Sequence, residues 1–273
     1  MHDRTAQSAS LDELLRTLHL PSFRAAYQEV ARTAIAEGLS YEQFLWVLCD
    51  RECLDRFNNR TKRLLNESRI PLEKSWDTFE QERLPFTLRQ QIAALLDGTF
   101  LDRKENVLAF GNPGSGKTHL LCALSQKLIA TGRRILYRPC SLLVQDLLAA
   151  KRDLTLSKFI KHVSLYEGLL IDDIGYVQQS RDEMEVLFTL LAERYERSSV
   201  LITSNLPFSG WESIFKDPMT TAAAIDRLVH HSVILELNVP SYRITQAKKR
   251  SGISTDADTA AQATPAALKE VAK

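Results

Sequence analysis

Long apolar runs are missing from this 273-residue chain; no stretch approaches the ~18–20 residues that a membrane-spanning helix requires. An excess of either charge is missing too. Thirty-five Lys and Arg against 34 Asp and Glu leave a net charge of +1, so any affinity for a polyanion must come from local basic clusters. Cysteine is scarce, and the four present (Cys49, Cys53, Cys122 and Cys140) form no paired C-x2-C sets. That argues against a structural zinc site and against a disulfide framework. Cys49 and Cys53 stand four apart, so they are expected to share a helix face and serve packing alone. The N-terminal "MHDRTAQSASLDELL" lacks the charged-then-apolar layout of a signal peptide, which makes the cytoplasm the expected address. No internal repeat at a fixed period is visible. What is left is an ordinary globular composition, 44% hydrophobic and 25% charged, in a chain long enough for one or two domains.

Residues 10–70 read as helical. Ser10 with Glu13 makes a capping box ahead of Leu11, Leu14, Leu15 and Leu18; Pro21 interrupts, and a second stripe runs through Phe23, Ala26, Tyr27, Val30 and Ala34. Gly38 stops that helix, and Ser40 with Gln43 starts another through Phe44, Leu45, Val47 and Leu48. Its continuation, "DRFNNRTKRLLNESR", sets Arg56, Arg60 and Arg63 on one face with few acids nearby. Residues 71–104 read as a connector in which Trp76, Phe79 and Phe86 are packing anchors. From Glu105 the texture changes to short apolar strands ("NVLAF", "RRILYR", "GLLIDD", "SVLITSN", "SVILELN") separated by segments long enough for crossover helices. Such alternation predicts an α/β domain over 105–250, its five-stranded parallel sheet covered on both faces and preceded by a small all-α domain over 1–70. The segment 251–273, poor in large apolar residues, is expected to be disordered.

Gly111, Asn112, Pro113, Gly114, Ser115, Gly116, Lys117 and Thr118 fit G-x-x-x-x-G-K-[ST] throughout. Glycines let the backbone turn tightly enough to aim successive N–H groups at phosphate oxygens. Lys117 supplies a flexible charge for the β- and γ-phosphates, and the Thr118 hydroxyl can ligate Mg2+. The loop lies between an apolar strand and "THLLCALSQKLIA", a helix whose N-terminal dipole faces the anion. "LLIDDIG" then puts two carboxylates where a buried strand emerges: Asp172 is suited to hold Mg2+, directly or through its waters, and Asp173 to orient and activate an attacking water. Asn205 closes another apolar strand, "VLITSN", and can hydrogen-bond the lytic water or the γ-phosphate; a plain turn role before Pro207 is the alternative. Arg227, on a predicted helix just before the last strand, can reach a neighbouring subunit's γ-phosphate as an arginine finger, or simply pair with Asp226.

The order of phosphate loop, "LLIDD", "ITSN" and "DRL" resembles the DnaA/DnaC branch of AAA+ ATPases. "LHLPSFRAAYQE", "EGLSYEQFLWVLCDRE", "ENVLAFGNPGSGKTHL" and "SYRITQAKKR" extend the likeness, from residue 11 to about 250, to the IstB-like helper ATPases of insertion-sequence transposons. The resemblance implies an AAA+ domain binding ATP with Mg2+. It further implies an ATP-dependent homo-oligomer, a ring or a helical assembly, that binds double-stranded DNA, remodels it and engages a transposase. Most AAA+ proteins end the acidic motif in Asp-Glu; Asp173 stands in place of that Glu, as in the DnaA-like branch, and leaves the hydrolysis rate open. No obvious helical lid follows "SVILELNVPSYR", and Arg243 is a candidate for part of that work. Two basic regions are candidate DNA contacts: Arg56, Arg60, Lys62 and Arg63 on the N-terminal helix, and Lys151, Arg152, Lys158 and Lys161 where the branch carries a helical insert used on DNA. A replicative helicase loader of the DnaC type is the nearest rival, although the zinc cluster some loaders carry is lacking. A small-molecule P-loop kinase would leave "ITSN" and Arg227 without a role. An ATP-sensing adaptor with negligible turnover is the third alternative, kept open by Asp173.

Overall fold

A computed structural model describes residues 10–175, 180–207, 210–211 and 225–242. Arg243 and the 251–273 segment lie outside the described residues. Three helices open the chain: α1 (Leu11–Thr17), α2 (Pro21–Glu37) and α3 (Tyr41–Ser68). Both expected capping boxes form, Ser10 with Glu13 and Ser40 with Gln43, and Gly38 ends α2 with φ 66°. Pro21 separates α1 from α2 by taking the first helical position, where its missing N–H costs nothing. No side chain at the Leu20 N-cap satisfies the first turn of α2; Glu52 of α3 does so instead. Its Oε2 accepts from the Ser22 N–H at 2.9 Å and the Phe23 N–H at 3.4 Å, and its Oε1 accepts from Arg56 Nε at 2.7 Å. Burial would raise the Glu52 pKa, but the Arg56 hydrogen bond and the two backbone N–H groups outweigh it and hold the carboxyl below its usual range. Ala26, Val30 and Leu48 close a small core between α2 and α3.

At ~1.5 Å per residue, the 28 residues of α3 extend roughly 40 Å, far enough to join that core to the rest. Leu64 near its end is buried with the sheet's own residues. Residues 71–104 hold α4 (Phe86–Leu95) and α5 (Thr99–Asp102), whose Leu88, Ile92, Leu95, Phe100 and Leu101 enter the same core. Phe86 is not an anchor. It is 65% exposed, because Leu84, Leu88, Ile92 and Leu95 occupy the buried face at helical spacing and turn Phe86 outward. Cys49 and Cys53 are exposed as well, so they do not pack, whereas Cys122 is buried and its thiol is pushed up to about 12, chiefly by desolvation.

The sheet consists of β1 (Asn106–Phe110), β2 (Ile135–Pro139), β3 (Gly168–Ile174), β4 (Ser199–Ser204) and β5 (Ser232–Glu236), all parallel in the order β2-β3-β4-β1-β5. Four helices cross between the first four strands: α6 (Lys117–Ala130), α7 (Cys140–Arg152), α8 (Leu156–Val163) and α9 (Arg181–Arg194). Side chains alternate across the sheet as the pleat requires. Leu108, Leu169, Ile171, Val200 and Ile202 face α7, α8 and α9; Val107, Ala109, Leu170 and Leu201 face α4 and α6. Arg194, fully buried, donates to the Val163, Tyr166 and Ser199 carbonyls at 3.0–3.1 Å, tying the end of α8 to the start of β4. Desolvation lowers its pKa to about 10. This α/β arrangement is the expected five-stranded parallel sheet covered on both faces, with helices ahead of it. Its strand order decides where the site lies: β3, β4 and β1 are neighbours, so the segments leaving them at their carboxyl ends converge.

Candidate nucleotide site

The loop from Gly111 to Gly116 joins β1 to α6 and borders a cavity of about 550 Å3. Glycine is compelled at three positions of this loop, Gly111, Gly114 and Gly116. A Cβ at Gly111 would stand 2.5 Å from the Leu237 carbonyl oxygen, and Gly116, with φ 99°, forms the N-cap of α6 beside Phe79. Lys117 opens α6 and turns back into the loop. Its Nζ donates to the Gly111 and Asn112 carbonyls at 2.7 and 3.0 Å and to Asn205 Oδ1 at 2.7 Å.

The aspartate pair sits at an irregularity. The β3–β4 register shifts between Ile171 and Ile174, and Asp173 has φ 64°, a left-handed conformation that costs a non-glycine residue about 1 kcal/mol. In a regular strand these carboxylates would point to opposite faces; the bulge lets both line the cavity. Asp172 Oδ1 accepts from the Thr118 and Thr203 hydroxyls, each at 2.7 Å, and its Oδ2 accepts from the Tyr137 hydroxyl at 3.0 Å. Desolvation first, then the Asp172 charge, pushes the Tyr137 phenol well above its ordinary value, so Tyr137 remains a donor. Asp173 Oδ1 accepts from Asn205 Nδ2 at 2.7 Å, while the Asp173 N–H donates to Thr203 Oγ1 at 2.7 Å. Asn205 therefore links the loop's cation to the second carboxylate.

Lys117, Thr118, Asp172, Asp173 and Asn205 all meet at this cavity, together with Pro113, Gly114, Ser115 and Gly116. Asn112 enters through its carbonyl on Lys117, and its side chain faces solvent. Arg227 is exposed in the helical residues 225–229 before β5 and does not line the cavity. Several participants carried no local signal. Tyr137 lies one strand over, and Thr203 was visible only as the second residue of "ITSN". The segment Lys74–Leu84 covers the site, contributing Lys74, Thr78, Phe79, Glu80, Arg83 and Leu84, and Val239 and Tyr242 come from beyond β5. The Arg83 guanidinium lies 5.1 Å from the centroid of the Tyr242 ring and donates to the Pro240 carbonyl at 2.8 Å, which closes one side.

Some of the basic residues have protein partners, although Arg56 and Arg63 are themselves exposed. Arg56 is held by Glu52 and also donates to the His19 carbonyl at 2.5 Å. Arg63 lies 3.7 Å from Glu67, and Lys151 lies 3.1 Å from Glu185. Arg60, Lys62, Arg152, Lys158 and Lys161 are exposed, the last two on the outer face of α8.

The family model described as IstB-like ATP binding protein matches residues 13–251. The chain belongs to this IstB-like family. Among its relatives is a Sinorhizobium fredii (strain NBRC 101917 / NGR234) protein named as an insertion-sequence ATP-binding protein, 38% identical over 91% of this chain and 85% of its own length. An insertion sequence IS21 ATP-binding protein of Pseudomonas aeruginosa is 33% identical over 90% of this chain and 92% of its own. Among solved structures, a DnaC helicase loader matches 60% of this IstB-like chain and 97% of its own, with TM-score 0.52 and 20% identity. AMPPCP-bound DnaA from Aquifex aeolicus matches 68% of this chain and 57% of its own, with TM-score 0.53 and 15% identity. These two likenesses concern the fold alone. No helix among the described residues is long and apolar enough to cross a membrane.

Proposed function

We propose that this IstB-like protein is the ATP-hydrolysing helper of an insertion sequence, which assembles on double-stranded DNA in an ATP-dependent manner, remodels it and recruits or stimulates a transposase. The observation that carries the ATPase reading is the hydrogen-bonded set Lys117–Asn205–Asp173 beside Thr118–Asp172 in one cavity. The insertion-sequence relatives favour transposition over helicase loading.

ATP is the substrate. Its β- and γ-phosphates take the place of Asn205 Oδ1 as the partner of Lys117, and the N–H groups of the loop cradle them. The Thr118 hydroxyl and the Asp172 carboxylate, 2.7 Å apart, are a hard oxygen pair suited to Mg2+. Bound there, Mg2+ supplies neutralisation of the phosphate charge. Asn205, released by Lys117, is left to orient water toward the γ-phosphate, and Asp173 accepts the water's proton. Arg227, away from its own subunit's cavity, serves the neighbour's γ-phosphate. The helices of residues 1–70 provide self-association and DNA contact, and the exposed lysines of α8 add phosphate contacts without base information.

Mixing Arg227→Ala subunits with Lys117→Ala subunits tests the site and the assembly together. Partial recovery of DNA-stimulated phosphate release is expected, because mixed interfaces contain intact sites. No recovery in demonstrated mixed oligomers refutes action across the interface. Wild-type turnover by Asp173→Asn refutes its role as the base.

A further inference from the structure

His119 follows the phosphate-loop threonine on α6 and lines the same cavity, and its ring reaches the segment over it. Its Nε2 lies 3.0 Å from the Ser75 carbonyl and 3.1 Å from the Thr78 hydroxyl. A carbonyl only accepts, so Nε2 carries the ring proton. Thr78 Oγ1 in turn reaches the Glu73 and Ser75 carbonyls at 3.0 and 3.1 Å. Two helical turns on, Gln126 Nε2 donates to the Pro71 and Lys74 carbonyls at 3.0 and 3.1 Å, so α6 laces the segment at both ends. The Phe79 ring lies 5.3 Å from the imidazole and 6.2 Å from Trp76, and its edge is 3.4 Å from where a Cβ of Gly116 would stand. Phe79 thus forms a wall that begins at the phosphate loop, with Leu84, Val239 and Tyr242 completing an apolar rim.

We infer that His119 is a positioning residue for nucleoside recognition: by clamping Ser75 and Thr78 it sets Phe79 against the loop and couples the phosphate grip to the wall that contacts the nucleoside. His119 itself touches neither the reacting phosphate nor the attacking water. The inference rests on the ATP-binding reading of the cavity. It separates the two halves of the ligand, because the loop's own donors do not depend on the clamp, whereas the Phe79 wall does.

Titrations of the full-length protein with ATP and with inorganic tripolyphosphate test it. His119→Ala is expected to weaken ATP binding about tenfold, the equivalent of one or two net hydrogen bonds, and to leave tripolyphosphate binding within about twofold. His119→Gln, whose amide N–H reaches nearly as far, is expected to restore ATP binding to within about threefold. In turnover, KM for ATP rises in the Ala variant while kcat at saturation holds. Phe79→Ala is expected to reproduce the same split, with no further loss in the double variant. Unchanged ATP affinity in His119→Ala overturns the inference, as does an equal loss for both ligands or a failure of Gln to rescue. If the wild-type protein binds tripolyphosphate but not ATP, the ATP reading itself falls. If Phe79→Ala alone shows the split, the wall stands and the clamp is refuted.

Discussion

Thr203 is the most informative residue to remove, because its one hydroxyl serves both aspartates. It donates to Asp172 Oδ1 and accepts from the Asp173 N–H, each at 2.7 Å, and the residue is 1% exposed. Thr203→Val keeps the shape and deletes both bonds. Losing the bond to a carboxylate costs about 1.5–3 kcal/mol, and a buried N–H left without an acceptor costs about 1–3 kcal/mol. The added methyl returns roughly 0.8 kcal/mol. The net destabilisation is about 2–5 kcal/mol, so the melting temperature should fall by roughly 4–20 °C at 2–4 °C per kcal/mol. The left-handed turn at Asp173 loses a restraint in the same change, and the carboxylate it aims should drift. Turnover is therefore expected to fall about 10–100-fold, as when an outer-shell partner is removed from a metal ligand. Thr203→Ser retains the hydroxyl and should recover most of both quantities. The assays are thermal unfolding and phosphate release with saturating ATP and DNA. A Val variant melting within about 1 °C of wild type and hydrolysing at the same rate refutes the reasoning.

Three further outcomes follow from the same structure. Replacing Lys158 and Lys161 together should lower the slope of log DNA affinity against log salt by about 1.8, and Arg56→Ala should leave that slope unchanged while lowering the melting temperature, since Arg56 is held by Glu52 and the His19 carbonyl; fluorescence anisotropy over a salt series and a melting curve decide both. The Glu52 carboxyl has a folded pKa below its unfolded value, so its contribution to the α2–α3 packing is present above the unfolded pKa and is lost as pH falls through the folded one; an acid titration of helicity should show a transition that Glu52→Gln shifts or flattens, and identical curves would contradict it. Arg194→Leu should destabilise by about 3 kcal/mol or more, because three hydrogen bonds from a buried guanidinium are lost at once, measurable as a lower denaturant midpoint with an unchanged slope.

The elements that local pattern specifies were readable in the chain as a string. The strands are short apolar runs such as residues 168–171, and the phosphate loop is one contiguous stretch from Gly111 to Thr118. The capping boxes at Ser10 and Ser40 were equally legible, since each closes within a single helical turn. Asp172, Asp173 and Asn205 could be suspected because each ends an apolar run, but only the strand order put β3 and β4 beside β1 and brought them to Lys117. The partners of Arg56 were hidden for a similar reason: helical spacing set it on a basic face, while packing of α3 on α2 supplied the carboxylate and carbonyl that it bonds. Tyr137, Thr203 and the covering segment of Phe79 and Arg83 reach the site through pairings 31–157 residues apart, such as Thr203 with Asp172 and Arg83 with Pro240. A bond between residues so far separated imposes no period and no composition on the chain near either of them, so it exists only once the sheet and the helices around it have packed.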